Sequence, residues 1–277
     1  MNRTAVFYEH ILEASAQTGK STAEILKEVR GYGIDGLDCD LWRLEDIEQV
    51  KPLFENSGFK VISTYNFYDF GHDNIDESTK KLHHQLELTA RYGADKVLAV
   101  PGFIGKGDDP DMIKGRMCEL LNIMCEAARD YKITVTLEDF DDCNAPYSTI
   151  SGLEYFMKNV DGLKYTFDTG NFAYSLESAE EGYERLKAHI VHVHLKDRSF
   201  DKLRASADNS NGKADLSGKI MYPSEVCGGY IGIEGLVKRL LSDGYGGVFS
   251  IEHFGACDQL MYIKKSAENI NKLLKGD

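Results

Sequence analysis

Residues 190–197 read IVHVHLKD. Strand side chains alternate, so Val191, Val193 and Leu195 point one way and His192, His194 and Lys196 the other. An ordinary half-buried strand turns small polar groups or long charges toward water. Here two imidazoles and an ammonium share one face. In a closed barrel of parallel strands that face looks into the barrel, and the apolar face packs on helices. Taken alone, the stretch suits a structural histidine pair on an edge strand equally well. Its neighbours decide between the two.

Toward the N-terminus the same alternation of strand and helix recurs. TAVFY (4–8) reads as a first strand ending near Glu9 and His10. Ser21 or Thr22 caps a helix with Glu24 in its first turn, and the helix stops at Gly31–Gly33. IDGLDCD (34–40) is a second strand, LEDIEQVKPLFENSG (44–58) a helix, and KVISTYNF (60–67) a third strand. A helix over 78–93 and a strand over 95–102 follow. The helix over 110–131 opens on Pro110, where proline is tolerated. Then come strand ITVTLEDF (133–140), helix 149–160, strand LKYTFDTGN (163–171) and helix 178–189. Beyond IVHVHLKD lie helix 233–246, strand GVFSIEHF (247–254) and a last helix over 257–276.

Eight strands alternating with eight helices over about 250 residues is the pattern of a (β/α)8 TIM barrel of the α/β class. No glycine-rich phosphate turn follows the first strand, which speaks against an open doubly wound sheet. No linker or low-complexity segment divides the chain, so one domain is expected over 1–277. That length buries a sizeable core.

The chain carries 45 acids against 32 Lys and Arg, a formal charge of −13. This field opposes nucleic-acid polymers. No apolar run is long enough to cross a bilayer. The opening MNRTAVFYEHILEA lacks a sustained apolar core, so no secretion signal is expected and the expected compartment is the cytoplasm. Cys39, Cys118, Cys125, Cys143, Cys227 and Cys257 form no CxxC pair. They read as reduced thiols, with Cys118 and Cys125 facing a core.

Residues 198–231 show no clear periodicity, which is long for a connection after a strand. They leave the barrel's C-terminal end, where such barrels place their chemistry, and read as a lid or substrate-contact loop. Arg198, Lys202, Arg204, Lys213 and Lys219 would give it a local positive patch.

The last four strands, aligned on their final turn, each place one metal-capable side chain on the inward face: Glu138, Asp168, His194 and Glu252. Two residues earlier on that face stand Thr136, Thr166, His192 and Ser250. Leu137, Phe167, Val193 and Ile251 between them face the helices. Each candidate alone has a structural explanation, such as a lysine partner for Glu138 or a helix cap for Asp168. All four together make a polar layer that is costly inside a barrel unless something binds there. Three carboxylates and an imidazole in a dry cavity call for a divalent cation. Mn²⁺ and Mg²⁺ suit this oxygen-rich set, and Co²⁺ or Zn²⁺ also fit.

The motifs LED, FDTGN, HVHLKD and SIEH resemble those of the xylose isomerase-like sugar isomerase and epimerase superfamily. The resemblance spans nearly the whole chain. It implies that Glu138, Asp168, His194 and Glu252 hold one divalent metal, with Mn²⁺ preferred. It also implies a small carbohydrate substrate whose carbonyl the metal polarises, with Glu138 and Glu252 moving the α-proton through an enediolate. Lys196, on the same inward row, would steady enolate charge or a substrate oxygen. His192 is expected to support His194, and His253 to be structural. Trp42, Tyr65, Asn66 and His10 fall at the rim, where sugar-binding groups belong.

Two positions depart from similar ketose 3-epimerases. Asn171 stands where they carry a histidine, and Phe200 where they carry an arginine, with Arg198 nearby. An inosose dehydratase-like lyase acting on a keto-cyclitol, and a non-catalytic sugar-binding barrel, are the alternatives. Whether chains associate into a homo-oligomer is left open.

Overall fold

Eight parallel strands close on themselves in the computed structural model, which describes residues 3–275. They are β1 (Arg3–Phe7), β2 (Gly36–Asp40), β3 (Lys60–Phe67), β4 (Lys96–Val100), β5 (Thr134–Glu138), β6 (Lys164–Asp168), β7 (Ile190–Ser199) and β10 (Val248–Glu252). β10 pairs with both β7 and β1, which shuts the barrel and leaves its strands without a free edge. Two short strands, β8 (Lys213–Ala214) and β9 (Ile220–Ser224), lie outside it. The single (β/α)8 barrel expected from the alternating pattern is the observed fold.

Around the barrel run α1 (Tyr8–Thr18), α2 (Thr22–Gly31), α3 (Ile47–Asn56), α4 (Ile75–Arg91), α5 (Pro110–Tyr131), α6 (Ile150–Asn159), α7 (Ala179–Leu186), α8 (Ile233–Ser242) and α9 (Gln259–Lys275). Ser21 caps α2 with a reciprocal capping box to Glu24. Leu137, Phe167, Val193, Leu195 and Ile251 are fully buried in the layer between strands and helices. Cys118 and Cys125 of α5 are buried, and all six thiols are free. Among the described residues no helix is long and apolar enough to cross a membrane. Gly276, the expected end of the last helix, lies outside the described residues.

Three expectations need correction. Tyr8, Glu9 and His10 do not end a strand; they open α1, which buries Tyr8, His10, Ile11 and Ala14 and stops at Gly19 in the left-handed region. His10 therefore packs inside the protein instead of at the rim. Second, residues 198–231 are not without regular structure. β7 runs past the barrel to Ser199, and its tip pairs antiparallel with β9. Asp197 fastens the return of this excursion, accepting N–H groups from Gly229 (3.0 Å) and Ile231 (3.3 Å). Third, the positive patch is largely spent in local pairs. Arg204 meets Glu225, Lys213 lies 2.7 Å from Asp141, and Lys219 sits over the Phe200 ring.

Register explains how the inward groups meet. Glu138 pairs with Thr166, Asp168 with His194, and Ser250 with His194. Going round from β5 to β10, the chosen residues climb by about one position per strand, which is the stagger a tilted barrel requires for side chains at one level.

Candidate metal centre

Glu138, Asp168, His194 and Glu252 converge at the C-terminal end of the barrel. Each offers a ligand atom, and these atoms all lie within 4.8 Å of one another. His194 Nδ1 is 2.8 Å from Glu138 Oε2 and 3.3 Å from Glu252 Oε2. Asp168 is fully buried and His194 is 2% exposed.

The FDTGN stretch builds the Asp168 corner. Asp168 Oδ1 accepts the backbone N–H groups of Gly170 (2.7 Å) and Asn171 (2.8 Å), so the carboxylate is locked by its own turn. The Thr169 hydroxyl donates to the Lys196 carbonyl and accepts its N–H, tying this turn to β7. Gly170 permits the approach: a Cβ there would stand 2.5 Å from the Lys196 carbonyl oxygen. The Asn171 amide donates to the Asp139 carbonyl. Asp168 Oδ2 is then left buried with no hydrogen-bond partner. An orphan carboxylate oxygen is expensive in a protein interior. A cation among the four groups would satisfy it, so the donor set fits a divalent metal.

His194 is held from behind. Its Nε2 lies 3.3 Å from Asp38 Oδ2, and the same oxygen lies 2.7 Å from His192 Nε2. A carboxylate behind one imidazole nitrogen fixes the ring and leaves the other nitrogen for a ligand. His192 thus stands behind His194 as expected, but Asp38 is the group that connects them. Below this layer the Thr166 and Thr136 hydroxyls bond to each other at 2.8 Å.

Burial is the largest influence on every charge here. It raises the Glu138 carboxyl, which His194 only partly offsets, and holds Asp168 well above the carboxylate range. Burial pulls the His194 imidazole down, but Glu138, Asp38 and Glu252 together carry it well up. Burial would also raise Glu252; the Lys196 ammonium and His194 outweigh it and keep that carboxyl low. Lys196 responds in kind: burial lowers it, and Glu252 and Asp141 drive it up. Its Nζ is 2.7 Å from Glu252 Oε1 and 3.6 Å from Asp141 Oδ2.

A cavity of about 360 Å³ opens above the cluster. Phe7, Tyr65, Phe67, Phe140 and Phe254 form its aromatic walls, and Glu9, Asp40, Asp141, Lys196 and Arg198 add charge. Larger hollows lie elsewhere; one of about 800 Å³ sits at the opposite end of the barrel and touches none of the four candidates. Tyr65 reaches the cavity as expected. Trp42 does not: it is 57% exposed beneath the Arg43 guanidinium. Asn66 turns its amide to the Phe67 carbonyl, and His10 stacks on His253 at 4.8 Å. Asp38, Asp141, Glu9 and Asp40 escaped the sequence reading. The alternating acids of GLDCD carried the signal for Asp38 and Asp40.

A closed parallel barrel with a buried acid-and-imidazole cluster under a cavity at its C-terminal end places the chain in the class of TIM barrels. Within it, the chain belongs to the xylose isomerase-like TIM barrel family, whose profile matches residues 26–273. No curated protein matches the sequence significantly. Solved structures do. The probable 3-DHS dehydratase AsbF of Bacillus anthracis, involved in petrobactin synthesis, superposes with a TM-score of 0.74 at 15% identity, over 97% of this chain and 98% of that one. A Mycobacterium smegmatis xylose isomerase-like barrel in complex with magnesium gives 0.69 at 21% identity, over 92% and 88%. An L-ribulose 3-epimerase gives 0.73 at 15% identity, over 100% and 95%. Epimerases and a dehydratase thus share this fold.

Proposed function

We propose that the protein is a divalent-metal-dependent sugar isomerase or epimerase, acting by proton abstraction next to a carbonyl. The observation that supports this most is the orphan Asp168 Oδ2, buried among three further ligand groups beneath the cavity. Glu138, Asp168, His194 and Glu252 would hold the ion, with Mn²⁺ preferred, and Mg²⁺, Co²⁺ or Zn²⁺ fitting the same set. Bound there, the ion would polarise a substrate carbonyl and acidify the adjacent C–H.

The protein's own groups divide the remaining work. Glu252, kept ionised by Lys196, is the base poised to take the α-proton. Glu138, across the cluster, is the carboxyl placed to return one. Return to the same carbon on the other face gives epimerisation; return to the neighbouring carbon gives isomerisation. Lys196 steadies the negative charge that builds on oxygen. The aromatic walls exclude water from the enediolate. A role in cytoplasmic carbohydrate metabolism goes with this reading.

The walls also favour a second reading. Five aromatic side chains suit the flat face of a ring, as in a keto-cyclitol that loses water after the same proton abstraction. Incubating the metal-loaded protein with keto sugars and keto-cyclitols in D₂O separates the cases. An isomerase or epimerase incorporates deuterium without new absorbance, whereas a dehydratase builds a conjugated chromophore. Tight ligand binding with no exchange would leave only a sugar-binding barrel.

A further inference from the structure

Arg198 is the one cation on the cavity wall without a carboxylate. It is 4% exposed and lines the cavity. Among the described residues no acid comes within ion-pair distance of its guanidinium, and its Nε is buried with no hydrogen-bond partner. The Tyr174 ring lies 5.7 Å from the guanidinium carbon. The backbone is fully fixed. The Arg198 N–H donates to Asp197, its carbonyl accepts from Tyr230, and the β9 pairing holds the tip of β7 in place. Such a group is aimed, not stray. Burying a guanidinium without a partner is costly, and a site normally carries that cost for a ligand.

The other cations near this wall are already engaged. Lys196 and Lys213 already share Asp141, at 3.6 and 2.7 Å, and Lys196 also holds Glu252. Arg198 lines the cavity beside them with its guanidinium in no such pair. A planar fork of donors matches a carboxylate, and one positive charge matches one negative charge. A phosphate dianion would need further donors, and it would meet Glu9, Asp40 and Asp141 lining the same cavity.

We propose that Arg198 anchors a carboxylate of the substrate, so that the protein acts on a hydroxylated keto acid and not on a neutral sugar. The assignment rests on the proton-abstraction reading above. Orientation follows from it. The acid end lies toward β7, the carbonyl over the cluster, and the hydroxylated end toward Glu9 and Asp40, both raised by burial and suited to receive O–H donors. The sequence could not show this. Arg198 is one basic residue in a segment holding five, and only β7 running on past the barrel separates it from the others.

The test uses metal-loaded protein and matched probes. D-fructuronate, D-fructose and D-fructose 6-phosphate share one skeleton and differ at carbon six; quinate and its methyl ester form a ring pair. Affinities are measured by calorimetry for the wild type, Arg198→Met and Arg198→Lys, alongside melting temperatures. In at least one series the carboxylate should bind tenfold or more tighter than its neutral partner. That gap should vanish in Arg198→Met and partly return in Arg198→Lys. Arg198→Met should melt no lower than the wild type, because it removes an unpaired charge. Equal binding of acid and neutral forms, no binding of either acid, or a gap that survives Arg198→Met overturns the proposal. Preference for the 6-phosphate assigns the site to phosphate and overturns the carboxylate. A marked drop in melting temperature with unchanged binding makes Arg198 structural. α-Proton exchange in D₂O, read separately, keeps the two ideas apart: exchange without acid preference leaves the enzymatic reading standing, and acid preference without exchange leaves only this one.

Discussion

The Lys196 ammonium lies 2.7 Å from Glu252 Oε1, and both groups are buried. This pair sets the two glutamates apart: the Glu252 carboxyl is held low, whereas burial raises that of Glu138. Burial alone would raise Glu252, and Lys196 reverses it. In Lys196→Met the Glu252 carboxyl should rise, so a reaction needing it as base loses activity from the acid side. The acid limb of kcat/KM against pH should move to higher pH. Leaving one buried partner uncompensated should also cost the metal-free protein about 3–5 kcal/mol, read by urea unfolding. An unmoved acid limb would remove Lys196 from the mechanism.

Glu138→Gln and Glu252→Gln test the two-glutamate division. Each keeps the side-chain volume and removes the proton carrier. Each should retain the fold and lower α-proton exchange by about 10²–10⁴. Wild-type exchange in either variant would contradict the assignment of that residue.

Metal uptake should release protons. Asp168, raised by burial, and His194, raised by its carboxylate neighbours against the pull of burial, both sit well above their ordinary values in the metal-free protein, so protons compete with a cation for them. Affinity should therefore increase as pH rises. Calorimetry in buffers of different ionisation enthalpy measures the released protons directly. Metal at 1,000 times its Kd should add about 4 kcal/mol of stability, which a chelator removes.

Gly170→Ala tests the turn that aims Asp168. The added methyl would meet the Lys196 carbonyl, a backbone atom that cannot swing aside. A loss of about 1–3 kcal/mol and weaker metal binding are expected. Gly235→Ala is the control. That position lies in α8 with nothing within 4 Å of an added Cβ, so it should be neutral or stabilising by up to about 1 kcal/mol.

The barrel was legible because its strands are short and bounded by turn residues, and its helices are amphipathic. His194 and its three acidic partners were legible because each sits one alternation step from an apolar outward residue. Asp38 was not, because nothing local to GLDCD reveals that β2 faces His192 across the barrel. α1 was hidden by its closeness to β1: Tyr8 follows Phe7 directly, with no side-chain cap to mark the change. Arg198 needed the pairing of Ser199 with Tyr222, a contact between residues far apart in the chain.

Anomalous diffraction from crystals grown with Mn²⁺ tests the central claim most directly. One peak is expected within about 2.0–2.4 Å of ligand atoms from Glu138, Asp168, His194 and Glu252. Asp168 should be bound through Oδ2, since Oδ1 is held by its own turn. No density among these four residues at saturating Mn²⁺, or a lone ion bound elsewhere, would contradict the account.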